Sequence, residues 1–237
     1  MKHPPTADSA RISEIFSSLQ GEGTRLGERH LFIRFEECNI HCQYCDELDK
    51  QGTEMSLEAV METVLKLEKE SGPHSFVSLT GGEPLIYLAF LKPLIKKLKS
   101  RGFKIYLETS GILPRALEEV VEDCDVIAMD LKPASVTGER GFLEEHRQFL
   151  KIAQSRETFA KMVLSKQIDS VEFDELIELV RETAPATPVV LQPLSAEIEG
   201  HEDPELMKLL AGLQNRAGRV LENVRIVPRL HKILKIR

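Results

Sequence analysis

The sequence predicts an α/β chain folded as an open, partial βα barrel around a mainly parallel sheet. Short apolar runs alternate with stretches of helical spacing, the pattern of repeated βα units. Nearly every unusual polar cluster falls just past the C-terminal end of an expected strand, the face on which parallel sheets and barrels gather their sites. About six or seven strands are expected, fewer than a full (β/α)8 barrel needs, so the barrel should stay open at its mouth.

Residues 12–16 are short and half-apolar, suited to an edge strand or entry segment. They run into Leu19-Gln20-Gly21-Glu22-Gly23, followed by Gly27, which reads as a hairpin turn or as a turn whose amides approach a ligand. Residues 31–35 form the first firm strand, with Arg34 just before a cysteine-rich loop. Ser56 suits the cap of a helix in which Leu57, Val60, Met61, Val64 and Leu67 recur at helical spacing, and Gly72-Pro73 stops it. Strand 75–79 ends in Thr80-Gly81-Gly82-Glu83-Pro84. The next helix lies between 87 and 101, irregular early because Pro93 lacks a backbone donor, and Gly102 closes it. Strand 104–107 ends in Glu108-Thr109-Ser110-Gly111, with a helix over about 114–122. Strand 125–129 ends in Asp130-Leu131-Lys132-Pro133. The beat continues as helix 143–153, strand 159–164, helix 171–183 and strand 188–191, which ends in Gln192-Pro193-Leu194-Ser195. Helix 204–214 and strand 224–227 follow, then Arg229-Leu230-His231-Lys232.

Three of the four cysteines share one loop, Cys38-Asn39-Ile40-His41-Cys42-Gln43-Tyr44-Cys45, spaced C-x3-C-x2-C. Three thiolates on a short loop can converge on one inorganic centre, and sulfur ligands select iron–sulfur clusters, zinc or copper over hard cations. A closed zinc site or a fully ligated cubane takes four protein ligands. Three would leave one iron of a 4Fe–4S cluster open, and an open position is where chemistry is expected. Two other readings stay beside this one: His41 could complete a Cys3His zinc site, or the thiols could carry no metal. Cys124, at an expected helix-to-strand junction, reads as a buried small hydrophobe.

A chain of 237 residues, 42% hydrophobic and 29% charged, has the makeup of one compact domain. The net charge of −7 argues against a nucleic-acid partner, and the basic run Lys96-Lys97-Leu98-Lys99 falls on what reads as a solvated helix face. No stretch approaches the apolar length that spans a bilayer, and Met1-Lys2-His3-Pro4-Pro5 has no apolar run behind it. With cysteines grouped on one loop, these features predict a cytoplasmic protein whose thiols ligate metal rather than pair.

Thr80-Gly81-Gly82-Glu83-Pro84 joins two glycines, which let main chain approach a ligand, to a carboxylate able to receive an ammonium. Glu108-Thr109-Ser110-Gly111 offers groups suited to a ribose, or a plain strand-to-helix turn capped by Ser110. With GGEP one βα unit after the three-cysteine loop, residues from about 31 to 194 resemble a radical S-adenosylmethionine core. More narrowly, Leu19 to Gly23, Phe32-Ile33-Arg34 and the loop ending in Cys45-Asp46 resemble the 7-carboxy-7-deazaguanine synthase family. Asp130-Leu131-Lys132-Pro133, Gln192 to Ser195 and Leu230-His231-Lys232 fit the same family.

The resemblance implies roles residue by residue. Cys38, Cys42 and Cys45 hold a 4Fe–4S cluster. Tyr44, Cys45, Asp46, Gly82, Glu83, Glu108, Ser110, Gln192, Pro193, Leu194 and Ser195 line S-adenosylmethionine. Leu19, Gln20, Gly21, Glu22, Arg34 and Thr80 hold a carboxylated tetrahydropterin, for which the planar fork of Arg34 suits the carboxylate. The implied layout is one domain over 1–237: an N-terminal substrate-binding extension (11–30), a core (31–195) and a C-terminal part closing the pocket (196–237). The implied activity is a lyase step, radical-mediated ring contraction of 6-carboxy-5,6,7,8-tetrahydropterin to 7-carboxy-7-deazaguanine with release of ammonia, in queuosine-type 7-deazapurine biosynthesis. Implied partners are a flavodoxin- or ferredoxin-type electron donor and a second copy in a homodimer, with no nucleic acid and no membrane.

Two positions depart from that family. Glu47 stands where a threonine resembling a magnesium ligand is usual; a carboxylate also suits a hard cation, so Glu47 is expected to hold Mg2+, with a dependence at least as strong as the family's. Arg229 stands where glutamine often precedes the Leu-His-Lys run. The rival readings are a glycyl-radical-enzyme activase and a non-catalytic, zinc-stabilised binding domain.

Overall fold

The computed structural model describes residues 7–47, 50–194 and 203–236; residues 1–5 and Ser195, read from sequence, lie outside these. In chain order the elements are β1 (Ser9–Leu19), β2 (Arg29–Phe35), β3 (Thr53–Ser56), α1 (Leu57–Ser71), β4 (Phe76–Gly81), α2 (Leu88–Ser100), β5 (Ile105–Thr109) and α3 (Pro114–Glu118). They continue with β6 (Val126–Leu131), α4 (Ala134–Thr137), α5 (Leu143–Ala153), β7 (Glu157–Leu164), α6 (Ser170–Thr183), β8 (Val189–Pro193), α7 (Pro204–Ala217), β9 (Val224–Ile226) and α8 (Leu230–Leu234). The strands form one nine-stranded sheet in the order β3-β1-β2-β4-β5-β6-β7-β8-β9. β1 pairs antiparallel with both β3 and β2, and from β2 to β9 every pairing is parallel. The order ends in two free edges, so the barrel is open as expected; seven strands are parallel, and the antiparallel-paired β1 and β3 bring the sheet to nine rather than the six or seven expected.

Neighbouring side chains on one strand enter different cores, which is why the strands read as continuous apolar runs. Val77, Leu79, Ile105, Leu107, Ile127, Met129, Ala160, Met162, Val189 and Leu191 pack under the helices. Their neighbours Phe76, Tyr106, Val126, Ala128, Phe159 and Val190 meet on the concave face. Tyr106 and Phe159 are fully buried there; burying such rings stabilises by roughly 1.5–3 kcal/mol each. His30 joins this inner face, its Nδ1 2.8 Å from Ser78 Oγ, and burial pushes its pKa down from 6.5 to about 4.

The connection from β1 to β2 fills the rest of the concave face. It is a hairpin connection, since Leu19 pairs with Arg29 across the antiparallel strands, closed by Gln20 N–H to Glu28 O at 2.7 Å and Gly27 N–H to Gln20 O at 2.8 Å. Gly23, at φ +71°, lies against the Phe159 ring, where a Cβ would come within 2.3 Å of ring carbon. Arg25 lies 5.5 Å over the Phe76 ring and grips both carboxylate oxygens of Glu157 at 2.6 and 2.5 Å.

Several boundaries match their local signals. Ser56 Oγ accepts from Ala59 N at 3.2 Å, Asp169 and Asp203 cap α6 and α7, and α5 has the bounds its spacing predicts. The irregular start of α2 is a 3-10 turn over Pro84–Tyr87 capped by Glu83, whereas Pro93 sits inside an unbroken helix. β3 is exposed and polar; its pairing with β1, Ser9 to Ser56, holds it as a strand. α4 and α8 are similarly short and carry no periodicity of their own. Cys124 is 1% exposed, its thiol bonded to Val120 O, as a small core residue.

Gly81 and Gly82 are demanded by the chain's own packing. A Cβ on Gly81 would lie 2.2 Å from Phe35 O and one on Gly82 2.1 Å from Glu37 O, because Gly82 N–H and Glu83 N–H bond those carbonyls at 2.9 and 2.8 Å. Gly82→Ala is therefore expected to cost at least about 2 kcal/mol in denaturant unfolding. Gly212 in α7 has open space around it, and Gly212→Ala should stabilise by about 0.5–1 kcal/mol in the same measurement.

Candidate active site

The C-terminal ends of the parallel strands open into a cavity of about 560 Å3, within the range that takes a small molecule. Strand by strand, Arg34 comes from β2, Thr80 from β4, Glu108 from β5, Asp130 from β6, Lys161 from β7 and Gln192 from β8. Leu19, Gln20, Gly21 and Glu22 reach it from the β1–β2 connection. The cysteine loop supplies Cys38, Cys42, Tyr44, Cys45, Asp46 and Glu47, and Gly82, Ser110 and Leu194 complete the sequence-predicted residues on its wall.

The cysteine loop is fixed by backbone bonds. Gln43 N–H donates to Thr137 O at 2.8 Å, His41 N–H to Glu139 Oε1 at 2.7 Å, and Gly138, at φ +75°, leaves room for the Gln43 amide. Glu172 in turn holds α4 by accepting from Ala134 N and Ser135 N at 2.5 and 3.0 Å. All three thiols are free, and Cys42 packs with Ile40, Ile112 and Phe142 into an apolar shell against which Cys38, Tyr44 and Cys45 lie. Burial pushes the Cys38 thiol up to about 11 and the Cys42 thiol upward too. Among the described residues no three His, Cys, Asp or Glu side chains converge on a single-ion site. A cubane offers each thiolate its own iron, so a three-thiol loop fits a cluster without that convergence.

Glu83 lies behind the cavity wall, fully buried. It accepts from Ser110 N and Oγ at 2.7 and 2.6 Å, Thr109 Oγ1 at 3.0 Å and Leu85 N at 3.0 Å, and burial pushes its carboxyl up. These bonds organise the loop after β5 and occupy both carboxylate oxygens. Pro193 is buried at the end of β8, off the cavity.

Within the cavity two carboxyls are driven apart. Burial pushes Glu108 up, although Gln20 Nε2 and Thr80 Oγ1 donate to it at 2.8 and 2.6 Å. Burial also pushes Glu22 up, but the ammonium of Lys161 outweighs it and holds Glu22 below the usual carboxylate range. Four residues of the cavity wall also carry a polar atom that is closed off from solvent and has no hydrogen-bond partner among the described residues: Tyr44 Oη, Gln192 Oε1, Arg34 Nε and Glu47 Oε2.

The C-terminal segment closes the mouth. Leu230 N–H donates to Gly21 O at 2.8 Å, and His231 packs so tightly on Gly21 that a Cβ there would lie 2.0 Å from Nδ1. Arg229 Nη1 and Lys232 Nζ both reach Asp46 Oδ2 at 3.1 Å. Burial pushes Asp46 up, but these two cations bring it below its ordinary value. Arg229 thus joins the C-terminal segment to the cysteine loop. Glu47 does not stand alone as an anion, since Arg34 Nη1 and Lys50 Nζ both bond its Oε1.

The Radical SAM superfamily model matches residues 32–165, from β2 through β7. A 7-carboxy-7-deazaguanine synthase from Geobacter sulfurreducens is 32% identical over 95% of this chain and 97% of its own. The chain belongs to the radical SAM superfamily and, within it, to the 7-carboxy-7-deazaguanine synthase family. A synthase of the same name from Methanopyrus kandleri is also 32% identical, over 94% of this chain and 92% of its own. The crystal structure of QueE from Escherichia coli has the same fold, with a TM-score of 0.61 at 21% identity over 94% of this chain and 95% of that one. Family membership brings a 4Fe–4S cluster and S-adenosylmethionine and sets aside the activase and zinc-domain alternatives.

Sequence reasoning missed Lys161 altogether and left Asp130, Lys132 and His231 without roles, although all four line the cavity. The signal for Lys161 was present: a lysine interrupting the apolar run Phe159 to Leu164, where a buried parallel strand tolerates charge only if it is paired. His146 was hidden in a helix. It is fully buried, its Nδ1 3.0 Å from Gly111 O and its Nε2 accepting Lys132 N–H at 3.0 Å, so it ties the loops after β5 and β6 together.

Burial drives His146, like His30, from 6.5 to about 4. Between these values the unfolded chain binds more protons than the folded one, so stability falls as pH drops from about 6.5 towards about 4. The pair is expected to cost about 2 kcal/mol or more over that window in guanidinium unfolding, and His146→Gln should flatten part of the slope.

Proposed function

We infer that this chain converts 6-carboxy-5,6,7,8-tetrahydropterin to 7-carboxy-7-deazaguanine with release of ammonia, the lyase step of 7-deazapurine and queuosine biosynthesis. The observation that carries this reading is similarity to synthases of that name over nearly the whole chain. A cluster held by Cys38, Cys42 and Cys45, with S-adenosylmethionine bound beside it, would supply the radical chemistry of the reaction.

The protein's own part is placement. In this reading Cys38, Cys42 and Cys45 hold the cluster inside the shell of Ile40, Ile112 and Phe142, which limits the access of water. Tyr44, Asp46, Gly82, Ser110, Gln192 and Leu194 line S-adenosylmethionine. Glu83 and Pro193 support that wall from behind. Leu19, Gln20, Gly21, Glu22, Arg34 and Thr80 hold the pterin. Glu108, bonded to Gln20 and Thr80, belongs with this substrate group. Residues 11–30 act as the substrate-binding extension of a single domain, 31–195 as its core and 196–237 as its closing part.

Glu47, held at Oε1 by Arg34 and Lys50, is the carboxylate this reading gives to Mg2+. A metal ion held there would orient the substrate carboxylate beside Arg34. A flavodoxin- or ferredoxin-type electron donor, a homodimer and a cytoplasmic location complete the proposal. No helix among the described residues is long and apolar enough to cross a membrane.

The test is an anaerobic assay of cluster-reconstituted protein with the carboxytetrahydropterin, S-adenosylmethionine, reductant and Mg2+, followed by mass spectrometry. Product without net loss of S-adenosylmethionine is expected. Cleavage of S-adenosylmethionine with no deazaguanine formed would remove the substrate assignment. A chelator is expected to lower kcat/KM at least about tenfold, with recovery on adding Mg2+; unchanged turnover would remove the metal from Glu47.

A further inference from the structure

A chain of alternating charge runs through the cavity: Glu22, Lys161, Asp130, Lys132. Lys161 Nζ bonds Glu22 Oε2 and lies 3.2 Å from Asp130 Oδ1, and Asp130 Oδ2 lies 2.7 Å from Lys132 Nζ. Lys161 sits in the middle of β7, between the buried residues Ala160 and Met162, with only 12% of its side chain exposed. An ammonium placed there is costly unless carboxylates meet it, and here two do, from different segments of the chain.

The grip leaves Glu22 with one committed oxygen and one available. Oε2 is taken by Lys161, whereas Oε1 has only a long contact of 3.3 Å from Gln192 Nε2. Beside it Gln192, itself 2% exposed, has its Oε1 buried and unpartnered. An acceptor held in place without a close donor, as Glu22 Oε1 is, fits the N–H-rich edge of an aminopyrimidinone.

We propose that Lys161 is a positioning residue for the reaction: by holding Glu22 and Asp130 together it presents Glu22 Oε1 as a fixed carboxylate acceptor to the substrate's amino and amide N–H groups. The proposal rests on the pterin reading of the substrate. Glu22 is faced by Lys161 of β7, Asp130 of β6, Glu108 and Tyr106 of β5, and Arg229 and His231 of the C-terminal segment. With the ammonium gone, Asp130 and Glu108 both disfavour a charged Glu22, and burial drives it to take up a proton. A protonated Glu22 would offer a donor where the ligand brings donors.

The experiment compares reconstituted wild-type, Lys161→Met and Lys161→Arg enzymes. Lys161→Met is expected to raise KM for the carboxytetrahydropterin about tenfold or more while KM for S-adenosylmethionine stays within about twofold. Its kcat/KM should rise with pH between about 6 and 9, an ionisation absent from the wild type, and Lys161→Arg should restore a flat profile. Because the effect runs through Glu22, Glu22→Gln combined with Lys161→Met should lose no more than the more damaging single change. Lys161→Gln repeats the comparison should the methionine variant not fold. A methionine or glutamine variant with wild-type pterin KM and a flat profile, or losses that add in the double variant, overturns the proposal. Absence of product from the wild-type enzyme overturns the substrate reading instead.

Discussion

A curled parallel sheet that stops short of closure has an inner face that its own side chains do not fill, and the rest of this molecule answers that constraint. In a closed barrel, layers of inward side chains pack the centre. Here Tyr106 and Phe159 cover only part of the inner face, and the β1–β2 connection comes up from the other end of the strands to complete it. The residues that fill the space also form the floor of the cavity, because Gln20 and Glu22 lie on the same short loop as Gly23 and Arg25.

The C-terminal segment answers the same constraint from above. Leu230 and His231 lock onto Gly21, and Arg229 and Lys232 lock onto Asp46, so the floor loop, the cysteine loop and the chain's end share one set of contacts. The glycine requirements follow. Gly21, Gly81 and Gly82 each lie where another part of the protein occupies the space of a side chain. The pair in Gly81-Gly82-Glu83 serves first the packing of one loop on another, and Glu83 serves the backbone of Thr109 and Ser110.

Charge in this cavity is arranged in pairs because it is buried. Lys161 and Lys132 meet Glu22 and Asp130, Arg34 and Lys50 meet Glu47, and Arg229 and Lys232 meet Asp46, whereas Glu108 is bound by uncharged donors. In a low-dielectric cleft the partner decides whether a carboxyl stays ionised, which lets Glu22 and Glu108 differ in opposite directions within one site.

The sequence by itself determined the parallel strands, most of the helices and the three-thiol loop, since apolar periodicity, caps such as Ser56 and cysteine spacing are local signals. It also determined the face on which the site lies, because polar residues past the strand ends have one place to go in such a sheet. Only the tertiary structure decided β3, α4 and α8, whose short polar or aperiodic segments take their shape from neighbours. Only it decided that Glu83 turns inward, that Arg229 reaches Asp46 and that Lys161 stands between Glu22 and Asp130. Each of these depends on which distant charges burial brings together, and no spacing along the chain carries that information.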